Sequence, residues 1–451
     1  MQTVTHAPQD STIDDAHFVS ETGLLTASIQ YGVVARSLPL TGEILSGYLD
    51  ASGTGLGIGN PNVEFTPDVS ACVMSSVGSG TAKVFWGKRN GEIVVTTANK
   101  VFVAGRTTSS LTRCRVTDQH EGMVYGLAVD APSQTVLSGG ADGRVKLWDG
   151  NVLLWSSDKK MQSLVPDGFV RVAGGLSQGV IVGGLDSGDI CVWTIPDALD
   201  MANTLASIDL PELRITSPVQ ATVDVGPFTA KPNIRTIRIQ RTSEAQISIW
   251  ADYTDHTFFY HISVNPSSLK SETTRFGDIS YGYISVIEPV YATGEDESDL
   301  VVVGDQLGFV SIYEGSTTHA QVPTYKFEAH TDGAVTAIAW TAAVFATGSA
   351  RGTTTVWDSL TLEPLHWFKS PVSRPSFGGE LPIVSKIILE HELILIVVGN
   401  RVMACKPSRV KRHSPHTRST KGKHAHAKSI VSKGYREFPP HVVLGFLIHV
   451  V

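Results

Sequence analysis

The sequence predicts an all-β protein whose chain is built from repeated units. Glycine (42 residues) and proline (22) are plentiful among the 451 residues, and only 18% of the chain is charged. This composition is typical of many short strands joined by tight turns. Segments in which apolar and polar residues alternate recur with polar turns between them. The recurring unit spans about 40–55 residues, which is the period of the blades of a β-propeller.

Two of the units are clear on their own. Residues 120–149 contain HEGMVYGLAVD and then TVLSGGADGRVKLWD, which predict two strands, an Asp-Gly turn and a third strand ending in Trp148 and Asp149. Residues 330–358 contain AVTAIAW, VFATGSARG and TTTVWD in the same order. Both units closely resemble the repeats of the WD-repeat family, and the resemblance implies a WD-repeat β-propeller.

Six weaker units extend the pattern over residues 12–405. All of them keep the order of strand, polar turn and strand. Together with the two clear units, they lie at residues 24–45, 82–95, 120–149, 179–195, 246–262, 299–313, 330–358 and 384–405. The sequence therefore predicts eight blades, with seven as the alternative because the units at 82–95 and 246–262 are faint.

The two ends of the predicted propeller domain, residues 1–405, are expected to meet in its last blade. Residues 384–405 supply three strands, with a turn at Gly399 and Asn400, but no outer strand. The N-terminal segment QTVTH, residues 2–6, precedes the first unit and can supply the missing strand. Such a closure leaves no open sheet edge that could pair with another chain.

The resemblance to WD repeats implies a chain of hydrogen bonds inside the clearest unit. In that family a His, a Ser or Thr, an Asp and the Trp of one repeat connect a turn to a strand. The matching residues here are His120, Ser138, Asp142 and Trp148. A polar group in such a partly buried place costs about 1–3 kcal/mol when it lacks a partner. We therefore expect a structural role for these four residues.

The second clear unit matches the same pattern at three of its four positions. His330, Thr347 and Trp357 match, but Arg351 stands where the family has aspartate. The network is therefore not expected to close as it does in the family. Arg351 is expected to face solvent or to contact a protein partner, since arginine is enriched at the energetic centres of interfaces.

No pattern in the sequence predicts catalysis, a cofactor site or a metal site. Residues 175–179 match G-x-S-x-G around Ser177, but they lie between two predicted strands, whereas a nucleophile elbow needs a strand followed by a helix. The chain has no phosphate-binding G-x-x-x-x-G-K-[ST] motif and no H-E-x-x-H motif. The sequence predicts a protein that is not an enzyme and uses no cofactor.

Charge separates a second predicted region, residues 406–451, from the propeller. This region contains ten Lys or Arg and one acid, Glu437, for a net charge of +9, whereas the remainder has 26 basic and 42 acidic residues, for −16. It is too polar to form a core, so the sequence predicts a mostly disordered tail with a short apolar end. Nucleic acid is a less favoured partner for the tail, because no aromatic residue interleaves its basic residues before Tyr435.

The predicted location is the cytoplasm, the nucleus or both. The first fifteen residues are polar and acidic, unlike a secretory signal. The four cysteines are widely spaced, as expected in a reducing compartment. The apolar run at residues 442–448 is far shorter than the roughly 18 residues that a membrane span needs.

The predicted function is a non-catalytic scaffold that binds protein partners, because a closed propeller presents rigid loops on two faces. The eight units and the basic extension are similar to the propellers of F-box proteins, which hold substrates for SCF-type ubiquitin ligases. That resemblance implies ubiquitin-ligase subunits as partners. The F-box itself is expected to be absent from this chain. The stretch at residues 38–50 resembles an F-box opening only superficially, and it coincides with the first unit. The alternative is a nucleic-acid- or ribosome-associated factor that uses the basic tail.

Overall fold

The computed structural model describes thirteen stretches of the chain. They are residues 2–5, 12–19, 23–54, 68–78, 80–103, 109–196, 209–219, 232–243, 246–291, 299–315, 322–372, 382–390 and 393–406. The predicted tail, residues 406–451, lies outside the described residues except for Lys406. Within the described part, the chain forms 35 strands and one 3₁₀ turn, Val116–Asp118.

The strands follow one another along the chain as successive small sheets. After β1 (Gln2–Thr5), the first two sheets comprise β2 (Asp15–Val19), β3 (Gly23–Ser28), β4 (Val33–Leu38), β5 (Glu43–Ile44) and β6 (Leu49–Asp50), then β7 (Val69–Val77), β8 (Thr81–Lys88), β9 (Ile93–Ala98) and β10 (Ser109–Arg113). The third sheet comprises β11 (Val124–Asp130), β12 (Thr135–Gly140), β13 (Val145–Asp149) and β14 (Val152–Ser156). A short hairpin follows, made of β15 (Met161–Gln162) and β16 (Val165–Pro166).

The fourth to eighth sheets repeat the arrangement. The fourth and fifth comprise β17 (Phe169–Gly175), β18 (Val180–Leu185), β19 (Ile190–Thr194) and β20 (Glu212–Ile215), then β21 (Ile234–Ser243), β22 (Gln246–Tyr253), β23 (Phe258–Asn265) and β24 (Lys270–Gly277). The sixth and seventh comprise β25 (Ile284–Val290), β26 (Leu300–Asp305), β27 (Phe309–Glu314) and β28 (Tyr325–Glu328), then β29 (Val335–Trp340), β30 (Val344–Ser349), β31 (Thr354–Asp358) and β32 (Pro364–Phe368). The eighth comprises β33 (Val384–Glu390), β34 (Leu393–Val398) and β35 (Arg401–Cys405).

Each sheet is one blade, and the prediction of an eight-bladed, all-β propeller is confirmed. Neighbouring strands pair antiparallel in chain order within a blade, and in blade 1 β6 also pairs with β4. The two faint units, residues 82–95 and 246–262, lie in the central strands of blades 2 and 5. Each faint unit thus belongs to a blade of its own, so the alternative of seven blades does not apply.

The eighth blade closes the ring through the N-terminal strand, as predicted. β1 pairs antiparallel with β35, so that Gln2 lies opposite Ala404 and Thr5 lies opposite Arg401. On its other side β35 pairs with β34, so β1 is the outer strand of this blade. The pairing covers the edge of β35 and joins the two ends of the propeller in one sheet.

The first strand of each blade is innermost, and these strands surround a central channel. β2, β7, β11, β17 and β21 make contact in succession, as do β25, β29, β33 and β2. In blades 2 to 8 the register shifts at the second residue of this inner strand. Such a bulge re-aims the side chain of the extra residue, which here reaches toward the next blade.

Small hydroxyl side chains at the bulge connect neighbouring blades. Ser70 Oγ donates to Val124 O at 2.7 Å, and Thr336 Oγ1 donates to Val384 O at 2.7 Å. The second strand supports this approach with a glycine, because a Cβ on Gly87 would lie 2.6 Å from the side chain of Val124. The repeated glycine near the end of the second strand thus admits the first residue of the next blade.

Blade 5 replaces both small residues with an ion pair. Arg235 stands at the bulge, and the buried Asp252 lies opposite Thr236, where blades 2, 3, 4, 6 and 7 have glycine. Arg235 Nη2 donates to Asp252 Oδ2, and Arg235 Nη1 donates to Ile284 O at 2.5 Å. The arginine therefore makes the same connection to the next blade that serine or threonine makes elsewhere.

Candidate functional site

The structure brings His120, Ser138, Asp142 and Trp148 together inside blade 3. His120 precedes β11, Ser138 lies in β12, Asp142 lies in the turn after β12, and Trp148 lies in β13. The distance from His120 Nδ1 to Asp142 Oδ1 is 2.9 Å, and that from His120 Nε2 to Ser138 Oγ is 2.7 Å. Trp148 Nε1 donates to Ser138 Oγ at 2.8 Å. All four side chains are buried, so the hydrogen bonds satisfy groups that water does not reach.

The ionisation states of this network follow from its contacts. Burial lowers the pKa of His120, although Asp142 opposes the effect. Burial raises the pKa of Asp142, but the hydrogen bonds from His120 and from the backbone N–H groups of Glu121 and Arg144 outweigh it and leave that pKa lowered. A carboxylate only accepts hydrogen bonds, so a neutral His120 donates from Nδ1 to Asp142 and accepts from Ser138 at Nε2.

Blade 7 builds a longer network in the same place. His330 Nε2 lies 3.0 Å from Thr347 Oγ1, and Trp357 Nε1 donates to that oxygen at 2.9 Å. On its other side, His330 Nδ1 lies 3.3 Å from Thr353 Oγ1, which donates to Asp332 Oδ2 at 2.9 Å. The network does not close through position 351. It closes instead through Thr353 and Asp332, which lie outside the four positions of the repeat pattern.

A serine in place of a glycine shows how blade 7 accommodates the longer network. In blade 3 a Cβ on Gly140 would lie 2.3 Å from His120 Nδ1. Blade 7 has Ser349 at the equivalent place, and its hydroxyl lies 2.8 Å from Thr353 Oγ1. The only sign of this longer network in the sequence was the presence of Ser349 and Thr353. Neither position belongs to the family pattern.

Arg351 lies at the tip of the turn between β30 and β31. Its backbone N–H donates to Ser349 Oγ at 3.1 Å, and its side chain is exposed. No residue in the described part of the chain makes a hydrogen bond or an ion pair with its guanidinium. The side chain that stands in place of the family's aspartate is therefore directed away from the network that it would have completed.

Apolar side chains are exposed in the neighbouring blade 6. Leu307 is 62% exposed in the turn between β26 and β27, and Ile279 (82%) and Tyr283 (48%) lie in the link that leads into β25. The link and the turn are joined, since Gln306 N donates to Tyr283 O at 2.8 Å. We call Ile279, Tyr283, Leu307 and Arg351 the blade 6–7 patch.

The two turns that carry the patch are connected through the segment before β29. His330 N donates to Gly308 O at 3.1 Å, which ties this segment to the turn of Leu307. Ala350 N donates to Ala334 O at 2.8 Å, which ties the same segment to the turn of Arg351. The patch therefore lies on one face of the propeller, across two adjacent blades.

Ser177 lies in the turn between β17 and β18, as the sequence predicted. Gly179 N donates to Leu176 O at 3.1 Å to close the turn. The hydroxyl of Ser177 donates to Asp130 Oδ1, and its backbone N–H donates to Asp130 Oδ2 at 2.7 Å. The serine is thus bound to an acceptor, and no described histidine contacts it that could act as a base.

The described residues contain no group of three or more His, Cys, Asp or Glu side chains placed to hold a metal ion. No helix within them has the length and the hydrophobicity that crossing a bilayer requires.

Comparisons with known proteins agree with the architecture. The family model for "WD domain, G-beta repeat" matches residues 111–149 and 321–358. The crystal structure of the computationally designed Ika8 protein gives a TM-score of 0.57 at 18% identity, covering 90% of this chain and 99% of that chain. The crystal structure of Saccharomyces cerevisiae Sqt1 gives a TM-score of 0.57 at 13% identity, covering 91% of this chain and 99% of that chain. A search of curated proteins gives no significant match. At these identities the structural likeness shows the fold alone.

Proposed function

We propose that this chain, a WD-repeat β-propeller of eight blades, is a scaffold that binds a protein partner through the blade 6–7 patch. A propeller supplies rigid turns, and binding residues are concentrated on such turns because they vary without disturbing the sheets. The observation that carries the proposal is that three exposed apolar side chains on blade 6 share one face of the propeller with the exposed Arg351 on the neighbouring blade 7.

The chemistry of the patch suits an interface. Tyrosine and arginine are the residue types enriched among those that dominate binding energy, and Tyr283 and Arg351 both belong to the patch. Leu307 and Ile279 add apolar area that water covers in the free protein. Burying such area on binding is favourable by about 25 cal/mol per Å², although association costs offset part of it.

Two narrower roles have less support. The role of substrate receptor in an SCF-type ubiquitin ligase rests on the pattern of repeats alone. The stretch at residues 38–50, which resembles the opening of an F-box, lies at the end of β4 and in β5 and β6 of blade 1. The role of nucleic-acid- or ribosome-associated factor rests on the +9 tail, which lies outside the described residues.

The test compares the proteins that co-purify with the wild type and with two variants of the patch, Leu307→Asp and Arg351→Glu. Leu360→Asp is the matched control, because Leu360 is 88% exposed in the turn between β31 and β32, at the opposite face of blade 7. We expect a specific set of proteins to be retained by the control and to fall about tenfold or more with each patch variant, as at an interface hot spot. If both patch variants retain every partner, the patch is not the binding site.

The same experiment separates the narrower roles. Ubiquitin-ligase subunits among the partners lost with Leu307→Asp would favour the substrate-receptor role. Loss of RNA on deletion of residues 406–451, with a steep dependence on salt, would favour the nucleic-acid role instead.

A further inference from the structure

A cavity of about 570 Å³ lies in the central channel between blades 3, 4 and 5. It is lined by the inner strands β11, β17 and β21 and ends beside the turn that carries Ser177. We call it the channel cavity. Its volume falls within the range of small-molecule sites, about 300–1,000 Å³.

Three arginines line the channel cavity, and they come from two neighbouring blades. Arg171 belongs to β17, and Arg235 and Arg238 belong to β21. Arg171 Nε donates to Arg235 O at 2.6 Å, so the side chain of Arg171 spans the gap between the two strands. The residues are distant in sequence and meet only because adjacent inner strands lie side by side.

The guanidinium of Arg171 is charged, and not all of its hydrogen-bond donors have a partner among the described residues. Burial lowers its pKa, but a guanidinium remains protonated in proteins. Its described partners are two carbonyl oxygens, Arg235 O and Val170 O, the second at 2.8 Å from Nη1. A guanidinium has five N–H donors, and no described carboxylate forms an ion pair with this one. It can therefore donate to a further acceptor in the cavity.

The other two arginines differ in how fully they are neutralised. Arg235 is paired with the buried Asp252. Arg238 Nη2 lies 4.0 Å from Glu288 Oε2, which is longer than a hydrogen bond, and its side chain is 52% exposed. Arg238 and Arg171 are thus the two arginines of the lining that are not held in a hydrogen-bonded ion pair.

The one carboxylate among the lining residues is already engaged. Asp130 accepts hydrogen bonds from the hydroxyl of Ser133 at 2.6 Å and from both the N–H and the hydroxyl of Ser177. These bonds hold Asp130 in the wall beside the turn. It forms no ion pair with an arginine in the described part of the protein.

We propose that the channel cavity binds a small polyanion, a molecule with two or more phosphate or carboxylate groups. Each such group matches the planar fork of a guanidinium in a bidentate arrangement. Two guanidiniums on neighbouring strands, neither of them in a hydrogen-bonded ion pair, fit an anion with more than one such group. Leu127, Val172 and Ile237 add apolar atoms to the lining of the cavity. This site is separate from the blade 6–7 patch and does not depend on the proposed partner.

The test is calorimetric titration of the full chain with pyrophosphate and with citrate, and with acetate as a monoanion. We expect saturable binding of at least one polyanion and none of acetate at the same ionic strength. Arg171→Gln and Arg238→Gln should each weaken binding about tenfold or more, since each removes charge-assisted hydrogen bonds. Arg115→Gln is the matched control, because it removes an exposed arginine outside the cavity, in the link between β10 and β11, and should leave the affinity unchanged.

Thermal unfolding of each variant shows whether it is folded before it is titrated. Arg238→Gln keeps the test decisive if Arg171→Gln fails to fold, because the side chain of Arg238 is half exposed. Absence of saturable binding to the wild type would overturn the proposal. Equal weakening by Arg115→Gln would also overturn it, because the binding would then reflect net charge and not the cavity.

Discussion

Thr353 donates a hydrogen bond to Asp332 at 2.9 Å and connects that carboxylate to His330. In blade 3 one aspartate, Asp142, contacts the histidine directly at 2.9 Å. Blade 7 thus preserves an acid-terminated chain of hydrogen bonds on the buried His330, although its aspartate is partly exposed and the usual acidic position is occupied by Arg351. The change frees the turn for an exposed arginine without leaving the buried histidine unsatisfied.

The first prediction concerns the tryptophan of blade 3. Trp148→Ala removes a side chain that is 0% exposed, and we expect it to lower the free energy of unfolding by about 3–5 kcal/mol. Trp367→Ala, at a position 52% exposed on the outer strand of blade 7, should cost much less. Urea denaturation of both variants checks the prediction, which a near-neutral Trp148→Ala would contradict.

The second prediction concerns the link found in blade 7. Thr353→Val keeps the shape of the side chain but leaves His330 Nδ1 and Asp332 without the bridging hydroxyl, so we expect a loss of about 1–3 kcal/mol in unfolding free energy. Thr112→Val, at an exposed position in β10, is the matched control and should be close to neutral. Equal losses in the two variants would show that the bridge contributes nothing.

A third prediction restores the arrangement of blade 3 in blade 7. In the double variant Ser349→Gly and Arg351→Asp, the new carboxylate can contact His330 directly, as Asp142 contacts His120. We expect adding Thr353→Val to this background to cost less than it costs in the wild type. Denaturation of the four proteins measures the coupling, and an unchanged cost of Thr353→Val would count against the equivalence of the two networks.

The fourth prediction concerns pH. Burial lowers the pKa of His120 and of His330 from their ordinary value of 6.5. Below about pH 6.5 the unfolded chain therefore binds more protons than the folded protein, so stability is full above that pH and falls as the pH decreases. The lowered pKa of Asp142 affects stability only at more acidic pH, because the ordinary pKa of an aspartate is 3.8.

Melting temperatures between about pH 8 and pH 5 at constant ionic strength check this prediction. His120→Gln should flatten the decline, because it removes one of the titrating groups. Leu137→Ala, which removes buried apolar contacts in the same blade, should lower the melting temperature at every pH and preserve the slope. A decline of unchanged steepness in His120→Gln would assign the pH dependence to other groups.

The fifth prediction concerns the ion pair of blade 5. Asp252→Ala leaves Arg235 partly buried without its carboxylate, and Arg235→Ala leaves Asp252 buried without its cation, so each should cost about 3–5 kcal/mol. The double variant should lose clearly less unfolding free energy than the sum of the two single losses, because it contains neither an unpaired arginine nor an unpaired aspartate. A double-mutant cycle by denaturation measures this coupling, and additive losses would show that the two residues act independently.

The sequence by itself predicted eight blades, with seven as the alternative, and it predicted their order and the closure of the ring by the N-terminal strand. These follow from alternation within single strands and from the spacing of turns, which are local properties of the chain. It also indicated the four residues of the blade 3 network, because their spacing within one repeat matches a known pattern. The faint units of blades 2 and 5 were still located, since alternation persists where the motif residues are lost.

Only the tertiary structure decided what happens between blades and in the altered repeat. Thr353 and Asp332 replace a motif residue from positions that the motif does not contain. The contact of Ser70 with the next blade, the pair of Arg235 with Asp252, and the approach of Arg171 to β21 all depend on how neighbouring sheets pack. Packing between sheets is non-local and places side chains from distant parts of the sequence together, so a repeat pattern that describes one blade carries no information about it.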